Sequence, residues 1–559
     1  MSHDLVPRTG GRIVADALRI HGVDTVFCVP GESFLPVIDA LYDQRDAIQL
    51  VVCRQEGGAA FMAEAYGKLT GEPGVCFVTR GPGATNASIG VHTAFQDSTP
   101  MILFIGQVST EVSEREAWQE LDYRRMFGQM SKWVAQIDQA ERIPEMVGRA
   151  FQVAVSGRPG PVVVALPEDM LGASVAVADG GRHRRVQAHP GREDLERLGS
   201  QLGVARRPLM ILGGGGWSAE ACADLQAFVE TFDLPVGCSF RRQDLLDNRH
   251  PNYVGDVALG INPKLAQRVR DADLVLAVGT RLGGITTSDY SLLAVPRPHQ
   301  RLVHVHADSE ELGRIYQADL MINAGVREFA AAARALMAPH VAWGDWTKAA
   351  RADYLAWQRH APMPGPVDLG EVMALLRETL PADSILTNGA GNYAIWLHRF
   401  YQYRGFRTQL APTSGAMGYG TPAAVAAKLV YPQRTVVCFA GDGCFLMNGQ
   451  ELATAVQYQL AVIFIVVNNG MYGTIRMHQE REFPGRVHGT ALVNPDFVAL
   501  AKAYGAHGEL LERTADFAPA FERARAAGRP ALLELRIDPE AISPRTTLTE
   551  LRQEALGRG

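Results

Sequence analysis

Two apolar runs that flank a short amphipathic segment constrain the fold of this chain more than any other feature. The first run starts at Val436 and ends in a Gly-Asp-Gly triplet centred on Asp442, and the second run ends in an asparagine pair that closes at Asn469. Between the runs, Leu452 and Val456 have the spacing of one helical face. We therefore predict a β-α-β unit whose polar tips lie at the carboxyl ends of neighbouring parallel strands, the edge where open α/β sheets bind ligands.

The two polar tips share a chemistry. Asp442 offers a carboxylate and Asn469 an amide oxygen, and both are hard oxygen ligands that suit Mg²⁺ or Ca²⁺. Gly443 and the start of the following helix leave backbone N–H groups for phosphate oxygens. Either tip alone would be interpreted as a buried aspartate at a turn or as a turn-forming asparagine pair. Because each tip directly follows a predicted strand, the two tips together predict a diphosphate bound through a metal ion.

Length and composition exclude several classes of protein. A chain of 559 residues exceeds what one core fills and predicts about three domains. Its net charge of −6 gives no basic surface for nucleic acid, and no apolar run approaches the roughly 20 residues of a membrane span. The first residues lack the layout of a signal peptide, and seven scattered cysteines suit reduced thiols. We therefore expect a cytoplasmic protein that binds neither nucleic acid nor membrane.

Alternating apolar runs and helical patterns divide the chain into three predicted α/β domains with doubly wound parallel sheets. The predicted domains cover residues 1–185, 190–340 and 365–559. A polar, glycine-containing stretch near 172–195 and a helix-containing stretch near 339–366 that ends in a proline-rich turn are the predicted linkers.

The Gly-Asp-Gly triplet, 24 further residues and the asparagine pair together resemble the thiamine-diphosphate signature of the acetolactate synthase and 2-oxo acid decarboxylase superfamily. The resemblance covers almost the whole chain. It implies a thiamine-diphosphate-binding fold with a pyrimidine-binding, a central and a diphosphate-binding domain, in that order. It also implies that Asp442, Asn469 and the backbone oxygen of Met471 hold Mg²⁺ against thiamine diphosphate.

The resemblance implies further cofactor contacts in the third domain. Met417 corresponds to the bulky residue over which thiamine bends into a V, although alone it would be interpreted as core filler. Asn392 and Tyr393 replace the Gln-His pair of the family's phosphate loop. The predicted cofactor-binding residues are Gly389, Gly391, Asn392, Gly415, Met417, Asp442, Gly443, Cys444, Asn469, Met471, Tyr472 and Gly473.

Glu56 is the predicted catalytic residue. It stands where a strand gives way to a helix, a position where a glutamate by itself would only complement the helix dipole. The surrounding sequence resembles the family element whose glutamate contacts the aminopyrimidine of thiamine. A carboxyl group there can share a proton with the ring nitrogen, which stabilises the imino tautomer that removes the thiazolium C2 proton.

Several residues near the predicted substrate depart from the family pattern. Glu32 replaces a glycine, Arg80 replaces a serine before a turn predicted at Gly81 to Gly83, and His478 replaces a tryptophan that helps select the second oxo acid. For Glu32, proton transfer, repulsion of an anionic acceptor and helix capping stay open. His478 puts acetolactate synthesis from two oxo acids in doubt, and acid–base and solvated roles stay open for it. The predicted substrate contacts are Gly31, Glu32, Gln119 and His478.

The central domain keeps a flavin alternative open. Gly213 to Gly216 follow a predicted strand and precede a helix, as in a dinucleotide site, but the full glycine fingerprint is incomplete. The Gly-Met-His-Gly run of flavin-containing synthases is replaced by LGINPK, and their Arg-Phe-Asp-Asp run by residues 281–284, Arg-Leu-Gly-Gly. FAD is therefore a doubtful cofactor, and we prefer a structural or vestigial nucleotide-binding central domain.

The resemblance implies a thiamine-diphosphate- and Mg²⁺-dependent lyase or carboligase that acts on a 2-oxo acid or related carbonyl compound, as in acetolactate synthase-like decarboxylation and carboligation. The alternatives are a flavin-containing acetolactate synthase or pyruvate oxidase-like enzyme, and a cofactor-binding protein without catalysis, against which Glu56 and both tips argue. In this family Glu56 and the Asp442–Asn469 site come from different subunits. A homodimer is therefore the predicted minimum and a homotetramer the expected assembly.

Overall fold

The computed structural model describes residues 6–338 and 341–557. The chain divides into two compact units, the first of residues 1–186 with 425–430 and the second of residues 187–424 with 431–559. Within the described ranges, three parallel sheets of six strands each correspond to the three α/β domains predicted from the sequence. The outermost predicted domain ends, at residues 1, 340 and 559, lie outside the described residues.

The first unit contains the first of these sheets. Strands β1 to β8 are Arg8–Thr9, Thr25–Cys28, Gln49–Val52, Gly74–Val78, Met101–Gln107, Trp133–Gln136, Pro161–Pro167 and Ser174–Val175. Helices α1 to α7 are Gly10–Ile20, Leu35–Asp43, Glu56–Thr70, Gly81–Asp97, Tyr123–Phe127, Ile143–Val155 and Glu168–Gly172. The sheet has the order β3-β2-β4-β5-β7-β6, and its strands β4, β5 and β7 are buried along their whole length, as is typical of a parallel sheet.

One local prediction, in the first unit, is wrong, and the linker predicted near 172–195 is shorter in the structure, where residues 176–191 have no helix or strand. The turn predicted at Gly81 to Gly83 is the first turn of α4, because Pro82 fits the start of a helix, where its missing N–H has no intrahelical partner to lose. The stretch near 172–195 contains β8, which pairs antiparallel with β1, and also the first residues of a helix that begins at Arg192. A strand of two residues carries no alternation that the sequence could reveal.

The second unit begins with the central sheet. Strands β9 to β14 are Pro208–Leu212, Val236–Ser239, Tyr253–Val257, Leu274–Val278, Arg301–His306 and Leu320–Asn323. Helices α8 to α12 are Arg192–Gly203, Ala219–Phe232, Pro263–Asp271, Val326–Ala333 and Gly344–Trp357. The order is β11-β10-β9-β12-β13-β14, so β11 is an edge strand whose carboxyl end lies beside that of β10.

The third sheet also belongs to the second unit. Strands β15 to β20 are Ile385–Asn388, Gln409–Leu410, Val436–Gly441, Ile463–Asn468, His507–Leu511 and Ala531–Arg536. Helices α13 to α21 are Leu369–Thr379, Tyr393–Phe400, Gly420–Val430, Asp442–Phe445, Glu451–Gln457, Gly473–Glu482, Phe497–Ala503, Phe517–Ala526 and Leu548–Leu556. The strand order is β16-β15-β17-β18-β20-β19, and all pairs are parallel.

The predicted β-α-β unit is present, with one difference. Strands β17 and β18 pair in parallel, with Val437 opposite Ile463, so their polar tips lie at the same edge. The connection holds two short helices, α16 and α17, where the sequence predicted one, because the chain turns around Gly449. No helix in residues 6–338 and 341–557 is long and apolar enough to cross a membrane.

Candidate active site

Asp442 forms the tip of β17 and is the first residue of α16. Its carboxylate is buried, with one oxygen accepting the N–H of Gly443 at 2.8 Å. The other oxygen accepts the N–H of Gly470 at 2.9 Å and the side-chain amide of Asn494 at 2.7 Å. Burial raises the pKa of Asp442, and the three donors oppose that rise. Because a carboxylate offers about four acceptor positions, these donors leave capacity for a cation.

The loop after β18 brings two more oxygens to this edge. The side-chain oxygen of Asn469 accepts the N–H of Met471 at 3.3 Å, which fixes the start of the loop. Gly470 has φ +67°, a left-handed conformation that glycine adopts without strain. Asp442, Asn469 and Met471 line the same cavity in the second unit. One carboxylate, one amide and one backbone carbonyl form an oxygen set that fits Mg²⁺.

Asn494 belongs to this tip, although the sequence analysis did not identify it. Its amide nitrogen donates both to Asp442 and to the side-chain oxygen of Asn468, the latter at 2.9 Å. Asn468 in turn donates to Glu534 on β20 at 2.8 Å. Asn494 therefore links the two tips, but it lies in an irregular loop where no motif marks it.

The predicted cofactor-binding residues share a cavity of about 1130 Å³, with the exception of Gly389. The N–H of Gly389 donates to the hydroxyl of Tyr393 at 3.1 Å, and a Cβ there would lie 2.5 Å from the sulfur of Cys444. Close packing explains this glycine without a phosphate. The residues that do line the cavity are Gly391, Asn392, Gly415, Met417, Asp442, Gly443, Cys444, Asn469, Met471, Tyr472 and Gly473.

The side chain of Asn392 is engaged by the C-terminal segment. Its amide nitrogen donates to the carbonyl of Ile542 at 3.0 Å, and its oxygen accepts the hydroxyl of Thr474 at 2.9 Å. At Gly443, a Cβ would meet the ring of Tyr472 at 2.7 Å, so only glycine fits at this point of the cavity wall. Backbone at Gly443 therefore faces the site without a side chain, as a close approach to phosphate requires.

Glu56 lies in the first unit as the first residue of α3. One of its carboxylate oxygens accepts the side-chain amide of Asn86, on α4, at 2.9 Å. Helices α3 and α4 pack closely, since a Cβ on Gly90 would lie 2.4 Å from the Cβ of Ala60. Two rigid helices thus orient the carboxylate, and Asn86 is a contact that the sequence analysis did not assign.

Two of the departures from the family pattern contact each other. Arg80 is buried, and its guanidinium donates to Glu32 at 3.1 Å and to Glu168 at 2.5 Å. The backbone carbonyl of Gln119 accepts the N–H of Gly81 at 2.9 Å, which places Gln119 at the start of α4, next to Arg80. The predicted substrate residues Gly31, Glu32 and Gln119 therefore belong to the first unit, whereas His478 belongs to the second.

Replacing Arg80 with serine should destabilise the first unit by about 1–2 kcal/mol, because two partly exposed carboxylates lose their shared cation. The double variant Glu32→Gly, Arg80→Ser should be less destabilised than the sum of the single changes, by at least about 0.5 kcal/mol. Chemical unfolding of the four proteins measures this coupling. Strict additivity would show that the two residues do not stabilise each other.

His478 lines the cavity from α18, and its helix is fastened by a buried carboxylate. Glu480 accepts Arg476 on the same helix at 2.8 Å and Arg552 on α21 at 2.6 Å. The hydrogen bond from Arg552, helped by the N–H of Gly485 and by Arg476, lowers the pKa of Glu480 to about 2. Glu480 thus anchors α21 beside the cavity.

Glu480→Gln should lower the free energy of unfolding by about 2–3 kcal/mol at neutral pH, because two arginines lose a buried countercharge. Since the folded pKa lies below the ordinary value of 4.5, the wild-type contribution is complete above that value and is lost as the pH falls towards 2. Unfolding across this pH range should therefore show the two proteins converging. Glu482→Gln, on the exposed side of α18, is the matched control, and a constant gap at all pH values would contradict the assignment.

Three domain models of one protein family match this chain, and they correspond to its three α/β domains. The N-terminal TPP binding domain of thiamine pyrophosphate enzymes matches residues 8–126, and the central domain of the same enzymes matches residues 195–333. The C-terminal TPP binding domain matches residues 389–535, which include the tips of β17 and β18. Each of the three matched ranges contains strands of a different six-stranded sheet.

Individual proteins are similar over nearly the whole chain. The acetolactate synthase isozyme 2 large subunit of Escherichia coli is 32% identical over 533 residues, which cover 95% of both proteins. A probable acetolactate synthase large subunit of Methanocaldococcus jannaschii is 30% identical over 559 residues, covering 96% of this chain and 93% of that protein. Because all three domains match and these relatives are at least 30% identical over nearly the whole chain, this chain belongs to the thiamine pyrophosphate enzyme family.

Proposed function

We propose that this protein decarboxylates a 2-oxo acid and joins the remaining carbon unit to a carbonyl acceptor, in the manner of an acetolactate synthase, with thiamine diphosphate and Mg²⁺. The observation that carries the proposal is the oxygen set at the tips of β17 and β18, in which the buried Asp442 keeps acceptor capacity beside the partly exposed Asn469. The names of the relatives over nearly the full length support the same reaction.

The proposal gives this chain's residues distinct tasks. Asp442, Asn469 and the carbonyl of Met471 would hold Mg²⁺, while the backbone at Gly443 would approach the diphosphate. Thiamine diphosphate, when bound, supplies a nucleophilic carbon and an electron sink. Glu56 would hold a proton at the aminopyrimidine nitrogen, with its carboxylate oriented by the amide of Asn86 described above. The remaining cavity wall would exclude water from the reacting atoms.

The assembly and location also belong to the proposal. Glu56 and the metal tip lie in different units of the chain, and the family resemblance assigns them to different subunits of one site. A homodimer is then the smallest complete enzyme, and we expect a homotetramer. All seven cysteines lie in the described ranges and are free thiols, which supports a cytoplasmic location.

The glycine run of the central domain does not require a flavin. A Cβ on Gly213 would lie 2.0 Å from the hydroxyl of Ser239, and one on Gly214 would lie 1.9 Å from the carbonyl of Gly279. Packing between strand ends therefore explains these glycines. We propose a structural central domain and derive no step through FAD.

Product analysis tests the proposed reaction. The protein would be incubated with thiamine diphosphate, Mg²⁺ and pyruvate, alone and with acetaldehyde or 2-oxobutyrate, and the products identified by chiral gas chromatography. We expect an acyloin or acetohydroxy acid whose formation requires both cofactors. A product mixture that is the same without thiamine diphosphate would contradict the proposal.

His478→Trp should change the acceptor ratio about tenfold or more, because a large apolar ring in place of an imidazole alters the wall that faces the acceptor. The measurement is a competition between acetaldehyde and 2-oxobutyrate for the same donor. His488→Trp is the matched control, since His488 is exposed and lies outside the cavity. Equal product ratios in wild type and His478→Trp would remove His478 from the acceptor site.

A further inference from the structure

Several arginines line the cavity in the second unit. Arg399 lies in the last turns of α14, Arg481 lies near the end of α18, and Arg545 follows β20 in the C-terminal segment. All three line the cavity. In the described part of the chain, none of the three is within ion-pair distance of a carboxylate. We call Arg399 and Arg545, with Trp357 at the end of α12, the arginine end of the cavity.

The guanidinium groups of Arg399 and Arg545 both lie over the ring of Trp357. The guanidinium carbon of Arg399 lies 3.8 Å from the ring centroid, and that of Arg545 lies 5.5 Å from it, as in cation–π contacts. Arg399 donates to the carbonyls of Trp357 at 3.0 Å and of Pro544 at 3.4 Å. Within the described residues, the guanidinium of Arg545 has this ring contact but no hydrogen bond or ion pair. Arg399 is thus braced, whereas the guanidinium of Arg545 can turn towards a ligand.

The two guanidiniums act on each other as like charges. Burial and then the charge of Arg545 lower the pKa of Arg399 to about 10. Like charges at this spacing repel, and an anion between them would relieve the repulsion. Arginine also presents a planar fork of donors that matches carboxylate and phosphate oxygens. The pair therefore has the charge and the donor geometry of an oxyanion site.

The acidic residues of the cavity have other roles. Glu550 accepts the N–H of Thr547 at 2.8 Å and so caps the start of α21. Glu554 is exposed at the rim. Asp256 lies at the carboxyl edge of the central sheet, where the nearby charge is that of Arg241, and Asp442 belongs to the metal tip. The positive charge of Arg399 and Arg545 is therefore not neutralised from within the cavity.

The arginine end is separate from the diphosphate end of the cavity. Helix α14 starts directly after Asn392, and Arg399 lies seven residues further on, which corresponds to about 10 Å along the helix axis. We propose that Arg399 and Arg545 bind a second anionic group, a carboxylate or phosphate, on a substrate whose carbonyl end reacts elsewhere in the cavity. This inference rests on the proposed function and narrows its substrate to a dianionic donor or acceptor.

Direct binding tests the site without turnover. Isothermal titration of the thiamine-diphosphate- and Mg²⁺-loaded protein would compare glutarate, which carries two carboxylates, with butyrate, which carries one. We expect glutarate to bind at least tenfold more tightly, because charge-assisted hydrogen bonds to a bidentate guanidinium are strong. Arg545→Gln should remove the preference and Arg545→Lys should keep part of it. Arg359→Gln, an exposed arginine outside the cavity, should behave as wild type.

Two pairs of substrates show whether the anionic group is carried by the donor or by the acceptor. The donor pair is 2-oxoglutarate and its 5-methyl ester, and the acceptor pair is glyceraldehyde 3-phosphate and glyceraldehyde. We expect the member of one pair that carries the distal anionic group to have a KM at least tenfold below that of the member that lacks it, with the difference lost in Arg545→Gln. Equal KM values in both pairs, with product still formed, would overturn the inference and leave the proposed function standing. Product from neither pair, together with selective glutarate binding, would contradict the reaction but support the anion site.

Binding of ADP with the same loss in Arg545→Gln, and no preference in either substrate pair, would also overturn the proposal in favour of a nucleotide site. Arg399→Gln is a second variant. Because Arg399 donates hydrogen bonds to the carbonyls of Trp357 and Pro544, a thermal unfolding measurement first establishes that this variant is folded. A folded Arg399→Gln protein that keeps the full preference for glutarate would contradict its part in the site.

Discussion

Glu56→Gln should slow the exchange of the C2 hydrogen of bound thiamine diphosphate by about 10²–10⁴-fold while the protein still binds the cofactor. Glutamine has the shape of glutamate and can accept the amide of Asn86, so the helix packing around it stays intact. It cannot share an ionisable proton with the aminopyrimidine nitrogen. Acid-quenched proton NMR of the cofactor after transfer to D₂O measures the exchange directly.

A matched control separates this effect from a general change in charge. Glu141→Gln removes an exposed carboxylate from the same unit and should leave the exchange rate as in wild type. Unchanged exchange in Glu56→Gln would exclude Glu56 from the proton path. Loss of cofactor binding together with exchange would instead make Glu56 a residue that positions the cofactor.

Asp442→Ala should reduce Mg²⁺-dependent retention of thiamine diphosphate by at least about 100-fold, since it removes the carboxylate that we propose as the charged metal ligand. The same change leaves the N–H groups of Gly443 and Gly470 and the amide of Asn494 without their acceptor, which should destabilise the second unit by about 2–4 kcal/mol. Retention is measured by desalting followed by cofactor quantification, at a temperature where the variant is folded.

Asn494→Ala provides the intermediate case for this site. It removes one donor to Asp442 but leaves the carboxylate in place, so cofactor retention should fall less than in Asp442→Ala. Cofactor retention by Asp442→Ala would be compared with Mg²⁺ present and after a chelator has removed it. Normal retention under both conditions would show that Asp442 does not hold the metal.

The sequence predicts the strands and the tips of the third sheet well, because strong local signals coincide there. Apolar runs define β17 and β18, and the polar residues that end them identify Asp442 and Asn469. The sequence does not predict the position of Asn494, because the contact of Asn494 with Asp442 depends on the path of a loop far along the chain. Loop geometry of this kind leaves no periodic signal.

The prediction for Gly389 illustrates a different difficulty. A glycine after a strand favours both a phosphate loop and close packing, and only the structure shows that the N–H of Gly389 is used by Tyr393. The replacement of the family's histidine by Tyr393 was visible in the sequence. Its consequence was not, because a hydroxyl that reaches back to the backbone and to Cys444 is a contact in three dimensions.

The ion cluster of the first unit had a sequence signal that was not used. Glu32 and Arg80 both depart from the family pattern, and they carry opposite charges. Two replacements that introduce opposite charges favour a direct ion pair, and Glu32 and Arg80 form such a pair in the structure. Glu168 could not be anticipated, since nothing in the sequence brings the residue after β7 within reach of Arg80 after β4, with β5 between the two strands.

The most direct test of the central claim combines cofactor content with CO₂ release. The purified protein would be incubated with thiamine diphosphate and Mg²⁺, examined by mass spectrometry and absorbance, and then given a panel of mono- and dianionic 2-oxo acids. We predict one bound thiamine diphosphate per chain and CO₂ release that stops when either the cofactor or Mg²⁺ is withheld. Absence of CO₂ release from every 2-oxo acid by the fully loaded protein would contradict the proposed decarboxylation.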